Sequence, residues 1–406
     1  MANQLLTISM ITREALRVLV NNLVFTNLVE RQYDEQFGKA GAKIGNVLNI
    51  RKPPRFTRTD GQGLQLQDVT ETSVPLVLTT QGQRAFTFSS QDLALNIDDF
   101  SKRFVKPAVA SLANQVDYDG LQQYINVYSS VGTPGTTPNA LLTYLQAQQK
   151  LNENAAPDDD ERSICIPPVS QAVIVDTLKG LFHASDAISE QYRRGKMGTS
   201  IGAEWYMDQN VASQTTGSFW VANTPTMLTT GSPQTGATIS IVAGATSGVA
   251  QQGDVFTIAG VYAVNPQNFT STGSLQQFVV TGAQTASGGA ITALPISPSI
   301  TTSGPFQTVT VAPATSAALT FINGTAASVT SPQALCFHKE AFAMACADLP
   351  LPGGVDMAER VSDKELGLSI RLIRAYDINQ DRFPLRLDFL YGWTTLYAQL
   401  AARIWG

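Results

Sequence analysis

Gly253-Asp254-Val255-Phe256-Thr257-Ile258-Ala259-Gly260-Val261 contains Asp254, the only charged residue in the whole stretch from Gln209 to His338. The sequence on either side carries charge at ordinary density. Within the stretch Thr, Ser, Gly, Ala and Val dominate, and short β-type runs at 239–242, 255–264, 278–280, 307–311 and 319–322 alternate with turn residues. A Ser/Thr/Gly-rich composition also describes a linker. Clusters such as Val255-Phe256 and Phe278-Val279-Val280, however, supply apolar surface that favours a folded domain. An inserted all-β domain is therefore expected over 223–330. Its two flanks share one character and are expected to form a single α+β domain that the insertion interrupts.

Working outward toward the N-terminus, Ile11, Leu16, Leu19, Leu23 and Leu28 recur at helical spacing among Arg13, Glu14, Arg17 and Asn21. This predicts an amphipathic arm (1–45) whose apolar stripe needs a partner to cover it. Val47-Leu48-Asn49-Ile50-Arg51 reads as a strand ended by Pro53-Pro54, with a polar loop at 57–67 and an extended return at 74–88. Together they predict a long β-hairpin (46–90) with a mobile tip. Asp98 and Asp99 stand where a helix cap and first-turn acids belong. Phe100, Phe104, Ala108, Leu112 and Val116, then Leu121, Tyr124, Ile125 and Tyr128, predict one long helix within 91–135. Pro107 demands a kink or a fresh helical start. Over 136–222 a helix (139–151), the acidic turn Pro157-Asp158-Asp159-Asp160-Glu161-Arg162, the buried strand Ser163-Ile164-Cys165-Ile166 and a helix (170–182) follow. The return at 331–406 predicts a helix with the face Ala341, Ala345 and Leu349, then the strands Leu368-Ser369-Ile370-Arg371-Leu372-Ile373-Arg374 and Leu385-Arg386-Leu387-Asp388-Phe389-Leu390-Tyr391-Gly392-Trp393.

A chain of 406 residues with 43% apolar content can bury a large core across two or three domains. Its net charge of −5 gives no global positive field for nucleic acid. Residues 1–20 are broken by Thr7, Thr12, Arg13 and Glu14, and no run reaches the roughly 18 apolar residues of a membrane span. Cys165, Cys336 and Cys346 suit neither a disulfide framework nor zinc knuckles, so a reducing cytosol is the simpler reading.

Chemistry has few homes in this sequence. The histidines are His183 and His338 alone. The trio Cys336, His338 and Cys346 fits no common zinc spacing, and the run from Asp158 to Glu161 lacks the alternating ligands of a calcium loop. Gly132 to Gly135 and Gly353-Gly354 lack the Lys-Ser/Thr of a phosphate loop. No catalytic, cofactor or metal residue is expected. Arg51, Lys52, Arg55 and Arg58, with Arg31 nearby, form a modest basic cluster. It suits a nucleic-acid patch or, better, ion pairing with acids such as Asp98, Asp99 and Glu204 on an identical neighbour.

The order of elements, together with Ser111-Leu112-Ala113-Asn114-Gln115-Val116, Gln191-Tyr192-Arg193-Arg194-Gly195 and the segment quoted first, resembles the P22-like coat proteins of short-tailed bacteriophages. The stretch from Arg386 to Trp393 is similar to the closing strand of tailed-phage shell proteins more widely. The resemblance implies an α+β, HK97-like major capsid protein fold with N-arm, extended loop, spine helix, peripheral and axial domains, and an inserted immunoglobulin-like domain. It implies a self-assembling icosahedral shell of hexamers and pentamers enclosing double-stranded DNA held by weak, non-specific contact. A separate scaffolding protein and a portal protein are the implied partners, no membrane is, and the place is the virion after assembly in the host cytoplasm. The family's charged inter-capsomer loop corresponds to 229–238, which is uncharged here, so ionic contacts from it are not expected. The alternative is a phage or bacterial surface module whose β-domain binds carbohydrate or a receptor; an enzyme comes third.

Overall fold

The computed structural model describes residues 15–17, 19, 23–31, 45–89, 104–178, 198–219, 227–231, 234–242, 247–322, 328–363 and 368–406. Asp98, Asp99, Phe100, His183, Ile11 and the stretch from Gln191 to Gly195 lie outside the described residues, as do positions 232 and 233 of the uncharged loop.

The charge-free stretch folds on itself. Along the strand Val255–Val264, Phe256, Ile258 and Val261 are fully buried. Its register with Ser271–Val280 shifts between Thr257 and Tyr262, where Gly260 takes φ +81°. A bulge there adds residues to one strand and bends it, and glycine accepts that backbone without a Cβ clash. Six antiparallel strands close into a barrel in the order Gly236–Val242, Ala290–Ile300, Ser271–Val280, Val255–Val264, Ala318–Phe321 and Met227–Thr229. The barrel is filled by Phe256, Phe278, Ile239, Ile241, Leu294 and Ile296, each large apolar side chain contributing about 1.5–3 kcal/mol on burial. Closure leaves no long strand edge to manage. Among its described residues the insertion is built of strands that form a closed barrel, where the resemblance implied an immunoglobulin-like domain. The expected strand at 307–311 is reduced to one bridge, Ala263 to Val309.

The chain divides into two compact units. The first (1–50, 73–121 and 342–394) is built on a five-stranded sheet. Phe342–Ala347, Arg382–Thr395, Leu368–Arg374 and Met357–Asp363 lie side by side, and Thr80–Ser89 pairs with Arg382–Thr395 along ten residues. The expected helix around Ala341, Ala345 and Leu349 is therefore corrected to a strand. Phe342 through Cys346 are buried at five consecutive positions, so no exposed face exists for a helix to present. The extended return at 74–88 is likewise two strands, Thr72–Val77 and Thr80–Ser89; only the first pairs with Val47–Lys52 in the hairpin. Helix α1, Lys106–Leu121, carries Pro107 at its second position and follows a π-helical turn at Phe104 and Val105. Asp117 of α1 is fully buried and accepts from the Val24 and Thr26 amides at 2.6 and 3.0 Å and from the Thr26 hydroxyl. It thereby ties the short turn Phe25–Leu28 to the helix. A Cβ on Gly120 would stand 2.5 Å from Trp393 and 2.9 Å from Phe25, so this approach requires glycine. Leu16, Leu19 and Leu23 of the arm's stripe are buried within this unit.

The second unit (51–72, 122–341 and 395–406) contains the barrel and a seven-stranded mixed sheet ordered Ser130–Val131, Ala401–Trp405, Thr330–His338, Arg162–Ile166, Ala203–Met207 and Thr199–Ser200, with Ser213–Thr215 paired to Thr330–His338. Helix α2, Leu141–Glu153, buries Tyr144, Ala147 and Leu151, and Tyr144 meets the Trp205 ring at 4.9 Å. Helix α3, Pro168–Leu178, starts on a proline. The root of the barrel is bonded to the sheet: Gln277 exchanges two hydrogen bonds with the Ser130 backbone at 2.7 and 2.8 Å, and buried Arg403 donates to the Gly253 carbonyl at 2.8 Å. Burial holds the Arg403 pKa down to about 10, against the opposing influence of Tyr124 and Asp254. Asp254 accepts from the Gly217 and Gln251 amides. The single charge of the insertion thus sits at its junction with the sheet.

Candidate functional site

The four basic residues expected to make inter-subunit contacts fall into two pairs. Arg51 and Arg58 point to solvent, each beside an acid of the same hairpin: Glu71 at 3.9 Å and Asp60 at 2.9 Å. Lys52 and Arg55 turn onto the second unit's surface. Lys52 lies over the Tyr397 ring at 4.8 Å, and Arg55 lies over Phe306 at 5.8 Å while donating to the Gln399 side chain at 2.8 Å. Burial first, and the charge of Arg55 second, hold the Lys52 pKa below its usual value. Arg51 and Lys52 are adjacent at the end of the strand Val47–Lys52 and so face opposite ways.

The tip itself is not polar throughout. Phe56, Leu64, Leu66 and Val69 are exposed, Leu64 at 88% and Leu66 at 86%. Their sequence signal was present in Leu64-Gln65-Leu66, but the surrounding Thr, Gln, Asp and Gly residues mask it.

The acidic turn and His338, 179 residues apart, come together. Arg162, buried, donates to the Pro157 and Ala156 carbonyls at 2.7 and 2.9 Å and so fixes the turn. His338 Nε2 lies 3.0 Å from Asp159, and its Nδ1 accepts the Glu340 amide at 3.3 Å. That second bond places the proton on Nε2, which therefore donates to Asp159 rather than offering a lone pair. Burial pushes the Asp159 pKa up, but the Glu161 amide and the His338 ring outweigh it and leave the carboxyl below its ordinary range. Asp159, Glu161 and His338 are the one group among the described residues with metal-ligand spacing; Cys336 and Cys346 are not in it. The Cys336 thiol is pushed up to about 12 by burial, against the pull of Arg162, and is inert as a nucleophile or ligand at neutral pH.

A sequence profile described as P22 coat protein, gene protein 5, matches residues 1–401. The chain belongs to the P22 coat protein family. As a family member it is a coat protein, a structural component of a phage capsid shell, and the carbohydrate- or receptor-binding module is not favoured. No curated protein sequence matches the chain. Among solved structures, the chain is similar to one from Mycobacterium phage Che8, with 12% identity over 94% of this chain and 90% of that one and a TM-score of 0.46. It is also similar to the capsid of cyanophage P-SCSP1u, with 11% identity, 94% and 88% coverage and a TM-score of 0.48. A virus-like particle from Pyrococcus furiosus gives 8% identity, 98% coverage of each chain and a TM-score of 0.38.

Proposed function

We propose that this coat subunit closes an icosahedral shell around DNA by laying its hairpin tip across an identical neighbour, in hexamers and pentamers made from one fold. The observation that carries this reading is the exposure of Leu64 and Leu66 at the end of the hairpin. Large apolar side chains clustered in solvent mark a surface that another chain covers. The element order (arm, hairpin, α1, mixed sheet, inserted barrel and strand-rich return) supports an HK97-like arrangement, with the arm at 1–45, the loop at 46–90, the spine helix within 91–135, the core at 136–222, the insertion at 223–330 and the return at 331–406. A separate scaffolding protein, a portal protein and weakly held DNA complete the reading, with assembly in the host cytoplasm. Arg51 and Arg58 act at the rim, each pair being worth on the order of 0–1 kcal/mol but repeated at every interface.

The test is a Leu64→Ser, Leu66→Ser double variant, assembled and viewed by electron microscopy and sedimentation. The expected result is a monomer whose melt is unchanged and which forms few or no shells. Normal shells from the double variant would overturn the clasp.

A further inference from the structure

Within the second unit, Lys52 and Arg55 line a cavity of about 680 Å³ together with Tyr128, Phe306, Tyr397 and Gln399. This is the size of a small-molecule pocket, and it has the usual make-up of one, ring faces with a few converging polar groups. The two cations share one platform: Lys52 sits on Tyr397, and Arg55 is bonded to Gln399 two residues further along. Both are held by neutral partners, and no carboxylate pairs with either among the described residues. Glu340 lines the same cavity without forming an ion pair with them. Two like charges, half-buried and three residues apart, repel each other and have lost hydration. The group that would relieve both costs is an anion placed between them, where an ammonium and a guanidinium donate charge-assisted hydrogen bonds.

We propose that this cavity is an oxyanion site, with Lys52 and Arg55 as its cationic ligands and a phosphate or carboxylate group as the species bound. The site is separate from the exposed leucines of the tip and does not depend on the clasp.

Calorimetric titration of the unassembled full-length chain with inorganic phosphate, and separately with acetate, against a chloride-matched buffer, tests it. Saturable one-to-one binding is expected, weakened about tenfold or more in Arg55→Gln and in Lys52→Gln, the scale of one lost charge-assisted bond. Phosphate binding identifies a phosphate-type ligand, and binding of acetate alone identifies a carboxylate; either supports the site. Heat from neither anion, or an affinity in both variants unchanged from that of the wild-type chain, overturns it. A measurement without variants runs alongside: acylation of the Lys52 amine, read by peptide mass spectrometry, should slow severalfold in phosphate or in acetate but not in chloride. An acylation rate indifferent to both anions also counts against the site.

Discussion

The inserted barrel and the hairpin tip are both poor in lysine and both carry apolar residues between turn formers, yet one covers those residues and the other displays them. In the barrel, six strands meet edge to edge and Phe256, Phe278 and Leu294 are fully buried. In the tip, residues 53–71 carry no strand of their own before Thr72, and Phe56, Leu64, Leu66 and Val69 stay in solvent. The difference is one of closure. A stretch long enough to return on itself can supply both sides of a core, whereas an eighteen- or twenty-residue loop cannot. Apolar surface in the barrel therefore serves the monomer, whereas in the tip it stays in solvent within the subunit, as the proposed clasp requires.

That contrast can be broken most decisively in the barrel core. Phe256→Ala should cost about 3–5 kcal/mol, by lost burial and the cavity left behind, read as a lower midpoint in urea. Leu64→Ser, Leu66→Ser should leave the same midpoint within roughly 0.5 kcal/mol, as for substitutions at exposed positions. If the two variants shift the midpoint alike, the tip is part of the monomer's core and the distinction fails.

A smaller effect is expected where the barrel meets the sheet. Asp254→Ala removes the acceptor of the Gly217 and Gln251 amides and a negative charge that acts on buried Arg403. Leaving the buried Gly217 amide unsatisfied should cost about 1–3 kcal/mol. Hydrogen exchange should show the loss concentrated in Val255–Val264 and Ser271–Val280; uniform loss across both units would mean that Asp254 is not a local fastening.

The smallest effect concerns acid. The Asp159 pKa is lower in the folded chain than when unfolded, so the carboxylate adds stability above the ordinary carboxylate range and loses it as pH falls through the folded value. Asp159→Asn should therefore lower the melting temperature slightly at pH 7, with the gap from wild type shrinking below about pH 4. Since Asp159 is half exposed, solvent screens the pair and the shift is modest. A gap that widens in acid would contradict the assigned direction.

Much of this fold was legible from local pattern. Val255–Val264 and Leu368–Arg374 lie where β-branched runs put them, and Leu141–Glu153 where helical spacing does. Ala290–Ile300 was hidden by Pro295 and Pro298, residues that usually argue against a paired strand. Phe342–Ala347 was hidden for a different reason: Phe-Ala-Met-Ala-Cys-Ala has no period, and alanine favours helix until burial on both faces decides otherwise. The candidate site was legible only as a composition. Arg51, Lys52, Arg55 and Arg58 were visible as a cluster, but which of them turn inward depends on Tyr397, Phe306 and Gln399, more than 250 residues away. His338 and Asp159 meet through the same long-range folding, which no spacing rule reaches.

The seven-stranded sheet places Ala401–Trp405 between Ser130–Val131 and Thr330–His338, with Arg403 beside Ser130 and Ile404 beside Val131. On the ribosome, residues 130 and 131 must wait for about 270 more residues to be synthesised before their neighbour exists, and pairing over such a separation is slow. Once Thr330–His338 has been made, and until Ala401–Trp405 follows it, the edge that will receive the later strand is open to strands from other nascent chains. A protein made in very many copies at once would then have its yield set by how quickly this last strand docks, so overexpression at lower temperature should shift material from aggregate to soluble subunit.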